Sequence, residues 1–153
     1  MRQDELREWN ESACVWRCLI KLANTDGNPI NKDEFTERFQ ELFPNREISD
    51  GSFDPESLSR VCRLLRFPEH SQVCNDYSVV EGDFNTNNRK ILVMSEIDLT
   101  PGSTNAGKHC SVLTNIDLTS FSVWTPYQSG GDGPLNLGRN VWTAKHCFGV
   151  ALF

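Results

Sequence analysis

Asn10-Glu11-Ser12-Ala13-Cys14-Val15-Trp16-Arg17-Cys18-Leu19-Ile20-Lys21-Leu22-Ala23 is the stretch that decides the fold. Ser12 is a helix-capping residue, and Asn24-Thr25-Asp26-Gly27-Asn28-Pro29 closes the helix that it opens. Between these signals only Arg17 and Lys21, four apart, interrupt the apolar residues. A helix that is apolar nearly all round belongs inside a domain, not on its surface. Cys14 therefore sits at the mouth of a central helix, where the helix dipole favours a thiolate. Cys18, one turn deeper, reads as packing.

Working outward, a second helix is expected from Lys32 to Phe43, with Phe35, Phe39, Leu42 and Phe43 on one face and Pro44 as its stop. Asp54-Pro55-Glu56 reads as the cap and first turn of a third, with Leu58, Val61, Cys62 and Leu65 facing inward. The texture then changes. Ile91–Met94, Cys110–Ile116, Ser120–Trp124 and Cys147–Phe153 are short β-prone runs separated by Gly, Pro, Asn and Asp. Helices followed by strands indicate an α+β domain with an antiparallel sheet, here one domain over residues 1–153. Gln128–Gly138 is Gly-rich and reads as a surface loop.

The chain has a net charge of −6, which argues against nucleic acid or an anionic membrane surface as its main partner. No apolar run has the length of a membrane-spanning helix, and Met1-Arg2-Gln3-Asp4-Glu5 does not read as a signal peptide. The six cysteines form no CxxC pair, so a zinc ribbon or a thioredoxin motif is not indicated. Buried thiols in a reducing, cytoplasmic compartment are the simplest reading, with export as an effector lacking a cleavable signal the variant one. No metal or cofactor is implied. Asp26, Asp33, Asp50, Asp54, Asp98 and Asp117 read as turn or cap residues.

Of three histidines, His109 stands out. It follows the Pro101–Gly107 loop and opens the run Cys110-Ser111-Val112-Leu113, where an imidazole is presented at a sheet end. His70 reads as solvated in a polar connection, and His146, before the last strand, is a weaker competitor. If Cys110–Ile116 and Ser120–Trp124 form a hairpin about Asp117-Leu118-Thr119, His109 falls beside Thr125-Pro126-Tyr127-Gln128. A group orienting the imidazole is then expected from Thr125 or Gln128, neither of which is a carboxylate. Asp117 belongs to the distal turn, out of reach of His109.

In this order of elements the chain resembles the papain-like cysteine peptidases, most nearly the bacteriocin-processing C39-like branch. That branch has a cysteine opening a central helix, two small helices, a strand, a histidine strand of the type H-x-x-V-L, and a strand ending in Asp-Pro. The matching positions are Cys14, the helices near 32–43 and 55–66, Ile91–Met94, His109-Cys110-Ser111-Val112-Leu113 and Val123-Trp124-Thr125-Pro126. The resemblance implies a papain-like fold: a central buried helix bearing the cysteine, packed on an antiparallel β-sheet bearing the histidine. It implies Cys14 as nucleophile and His109 as its acid–base partner, acting on a peptide or protein amide. Thr125 stands where the family has Asp, and Glu8 where it has a carbonyl-polarising Gln. Asn10 is the nearest amide donor for an oxyanion hole, alongside the backbone N–H of Cys14.

Three outcomes stay open from the sequence. A cysteine peptidase and a papain-fold glutamine deamidase effector share the same acyl-thioester chemistry. A catalytically inactive papain-like binding module is the rival that Thr125 and Glu8 motivate. A structural protein with buried cysteines and no site is the third.

Overall fold

In the computed structural model, residues 14–25, 32–42, 44, 70–126 and 134–152 are described. The chain divides into two compact units, Met1–His70 and Ser71–Phe153.

Helix α1, Cys14–Thr25, begins at the cysteine itself. Cys18, Leu19 and Ile20 are wholly buried, Leu22 and Ala23 nearly so. The helix is buried even more completely than its sequence implies: Arg17, expected on the polar stripe, is only 6% exposed. Helix α2, Lys32–Leu42, carries Asp33 and Glu34 in its first turn, the end at which acidic side chains suit the helix dipole. Phe35 and Phe39, one turn apart, are buried with ring centroids 6.1 Å apart. On the outer face Arg38 pairs with Glu34 at 2.9 Å, an exposed bridge that adds little stability. The expected third helix near 55–66, Cys62, the Ser12 cap and Phe43 lie outside the described residues.

The second unit is built on a six-stranded sheet of β1 (His70–Cys74), β2 (Lys90–Ile97), β3 (Ala106–Ile116), β4 (Ser120–Trp124), β5 (Leu135–Gly138) and β6 (Phe148–Leu152). The order is β1-β6-β2-β3-β4-β5. The pairings β6–β2, β2–β3, β3–β4 and β4–β5 are antiparallel, so the protein is α+β with an antiparallel sheet. Helix α3 (Tyr77–Asn85) lies on β2, β3 and β6, and α4 (Arg139–Ala144) lies against β5.

Alternation along the strands sorts two sets of buried residues. Ile91, Val93, Leu113, Phe121, Val123 and Ala151 form one core with Tyr77 and Val80 of α3 and Trp142 of α4. Tyr77, Phe121 and Trp142 meet edge-to-face in every pair, at 5.5–6.1 Å. Their polar ends are satisfied: the Tyr77 hydroxyl bonds the carbonyls of Asp117 and Ser120, and Trp142 Nε1 donates to Asn75 O. Leu92, Met94, Cys110, Val112, Trp124, Val150 and Leu152, pointing the other way, are buried too. This two-sided burial explains why β2 reads as an unbroken apolar run.

Several elements differ from expectation. His70 opens β1 instead of lying in a connection, and residues 77–85, assigned no element, form α3. The stretch read as a loop to Gly138 contains β5, with α4 directly after it. Asp76 caps α3 by accepting from the backbone N–H groups of Ser78 and Val79, the side-chain geometry typical of a helix start.

Candidate functional site

Cys14 is the first residue of α1, in the first unit. The backbone N–H groups of a helix's first turn have no partner within the helix, and their dipoles favour a thiolate over a thiol. Asn10, proposed for the oxyanion hole, and Gln128 lie outside the described residues.

His109 belongs to β3 in the second unit. The strand opens at Ala106, three residues earlier than the sequence suggests. Gly107, in this added stretch, has φ +128, a backbone conformation open to glycine and rarely to other residues. His109 lies directly opposite Ser95 of β2, with Met94 opposite Cys110 beside it. It is half-buried, on the same side of the sheet as Ser111 and Leu113.

One ring nitrogen is fixed. His109 Nε2 lies 3.2 Å from the carbonyl oxygen of Asn105. A carbonyl only accepts, so Nε2 carries the proton and Nδ1 is the ring's basic nitrogen. Among the described residues, the acceptor that holds the ring is thus a main-chain group four residues upstream.

Thr125 does not take that role. The β3–β4 ladder pairs Ile116 with Phe121 and Val112 with Trp124, shifts register between Leu113 and Asn115, and ends there. Thr125 thus lies just past the last ladder pair. Its Oγ1 is buried with no hydrogen-bond partner, as is Ser95 Oγ, so neither hydroxyl bonds the imidazole. Asp117 does belong to the distal turn, where its carboxylate accepts from the backbone N–H groups of Thr119 and Ser120 at 2.8 Å. Those bonds hold its carboxyl below the ordinary range.

His146, the weaker histidine competitor, stands next to Cys147 just ahead of β6. His146 is exposed in the turn between α4 and β6, with φ 52. Cys147 is buried, and desolvation pushes its thiol up to about 12 despite the opposing charge of Lys145. Cys18 and Cys110 are likewise buried. Among the described residues no group of three or more His, Cys, Asp or Glu side chains is placed to hold a metal ion. None of their helices is long and apolar enough to cross a membrane.

Comparison with protein-family models, with curated proteins and with solved structures gives no match to this chain.

Proposed function

We propose that the chain is a thiol hydrolase acting on amide bonds of a peptide or protein, with Cys14 as nucleophile and His109 as acid–base. The observation that carries the reading is the place of Cys14 as first residue of a buried helix, where a thiolate is favoured. The fixed imidazole of His109 supports it, because a held Nε2–H leaves Nδ1 to exchange protons.

In this reading Nδ1 takes the Cys14 thiol proton and the thiolate sulfur adds to the amide carbonyl. The C–N bond then breaks as the imidazolium returns the proton to the departing nitrogen. Water hydrolyses the thioester, releasing the acid and restoring the thiol. The Cys14 N–H and the Asn10 amide are the proposed donors to the oxyanion. A peptidase releases a peptide amine by these steps; a glutamine deamidase releases ammonia.

The second reading, an inactive binding module of the same fold, is favoured by one observation: among the described residues His109 is held by a backbone carbonyl, that of Asn105, and by no side-chain carboxylate or amide. The two are separated by the rate of iodoacetamide alkylation against pH, with peptide mapping, on wild type and His109→Ala. The hydrolase requires selective labelling of Cys14 with an apparent pKa below about 7, lost in the variant. Slow labelling near pKa 8.5 in both proteins supports the binding module.

A further inference from the structure

We infer that Lys145 is a positioning residue for His109, holding through one loop the carbonyl that fixes the imidazole; the inference rests on His109 being the catalytic base. The loop between β2 and β3, residues 98–105, is tied at every turn. Lys145 follows α4, and its Nζ donates to three of the loop's backbone carbonyls, those of Asp98, Thr100 and Ser103. Its own carbonyl accepts from Glu96 N, which joins it to the end of β2. Inside the loop the Asp98 carboxylate accepts from the N–H and hydroxyl of Thr100, and Asn105 N donates to Ser103 Oγ. The loop closes where Asp98 N donates to Asn105 O at 3.0 Å.

That same oxygen is the acceptor for His109 Nε2. A carbonyl has two lone pairs, and Asn105 O uses one for the loop and one for the imidazole. The position of the ring therefore depends on the loop, and the loop is gathered on one ammonium group. This arrangement does the work that a carboxylate or amide side chain does in a Cys–His–acid triad: it fixes the tautomer and the ring plane. It supplies no negative charge, so it orients the imidazole without stabilising an imidazolium.

The test is nitrogen NMR of the His109 ring in the full chain, with Cys14 alkylation followed on the same samples. In wild type, Nε2 is expected to carry a proton slow to exchange with water. Lys145→Met is expected to speed that exchange about tenfold, the loss of one hydrogen bond's worth of protection, and to raise the apparent pKa of Cys14 alkylation. Lys145→Arg, which keeps the charge and the donors, is expected to restore part of both. Asp98→Ala loosens the same loop without changing Lys145 and keeps the test decisive if Lys145→Met does not fold.

A wild-type ring protonated at Nδ1 overturns the inference. So does a folded Lys145→Met or Asp98→Ala with unchanged proton exchange, and so does faster exchange with an unaltered Cys14 profile. A wild-type Cys14 that is unreactive from the outset defeats the hydrolase reading, and with it the catalytic meaning of the clamp. The ring spectra still report in that case whether the clamp exists.

Discussion

Ser95 stands directly opposite His109 in the β2–β3 ladder, yet its buried Oγ forms no hydrogen bond. Side chains facing each other in this way are close enough to touch, so the hydroxyl is near the ring without being used by it. A buried donor without a partner costs about 1–3 kcal/mol of desolvation. Ser95→Ala, which removes the hydroxyl and little volume, is therefore expected to leave the melting temperature unchanged or raise it by a few degrees. Because the ring is held by Asn105 O, the pH profile of Cys14 alkylation is expected to stay as in wild type. Thermal melts and the alkylation profile check the two halves separately, and a lowered melting temperature would show that the hydroxyl has a partner in solution.

Thr125 gives a sharper contrast, since it occupies the position where the resembled family has an acid. Installing that acid by Thr125→Asp is expected not to accelerate Cys14 alkylation, because the ladder ends before this position and its side-chain oxygen bonds no group of the imidazole. A carboxylate placed where Oγ1 is now buried and unpartnered is expected to cost roughly 3 kcal/mol or more. Thr125→Val, similar in shape, is expected to be neutral or slightly stabilising. Chemical denaturation of the two variants orders them, and faster alkylation in Thr125→Asp would mean that the residue does reach the imidazole.

Cys147 allows a prediction about pH. Its folded-state value lies near 12, raised from the ordinary 9.0 by burial. Above about pH 9 the unfolded chain gives up this proton while the folded one keeps it. The stability it contributes is thus complete below pH 9 and is lost progressively as pH rises toward 12. Tyr77, raised by burial and then by Asp117, acts in the same direction. Denaturant midpoints measured from pH 8 to 11 are expected to fall less steeply in Cys147→Ala than in wild type. Peptide mapping at pH 8 is expected to find Cys147 unlabelled by iodoacetamide in the native protein.

Much of this architecture is legible in the sequence, and the parts that are not have specific causes. The burial of α1 follows from an apolar surface broken only by Arg17 and Lys21, and the β3–β4 turn follows from Asp117-Leu118-Thr119. Helix α3 is obscured by Val79, Val80 and Gly82, all poor helix formers. Its signal was nevertheless present: Asp76 as cap, then Tyr77, Val80 and Phe84 at helical spacing. Strand β5 and α4 are hidden because Leu135 and Leu137 continue a Gly-rich stretch, and Gly138, the residue that precedes α4, reads as part of the same loop. His109 could be found because an imidazole is rare and chemically distinctive. Its acceptor could not, because every residue has a backbone carbonyl and only the folded loop selects that of Asn105. The irregularity between Leu113 and Asn115 is equally silent in the sequence.

Gly149 tests the packing that holds this sheet against α3. It lies on β6 opposite Val93, in the interior of a strand, where glycine is ordinarily unfavourable. The reason for it is space. A Cβ at this position would come within 2.9 Å of Val80 Cγ2, 3.2 Å of Val80 Cγ1 and 3.3 Å of Ile91 Cγ2. Val80 is 2% exposed and Ile91 1%, and both are β-branched and stiff, so neither yields easily. Gly149→Ala is expected to destabilise by about 1–3 kcal/mol, the usual cost of an extra methyl in a filled core. The strain is specific to one neighbour, so Val80→Ala, itself destabilising, is expected to rescue part of the loss when combined with Gly149→Ala. A double-mutant cycle in denaturant measures this as a coupling of the two substitutions, and strictly additive losses would show that α3 does not press on Gly149 as described.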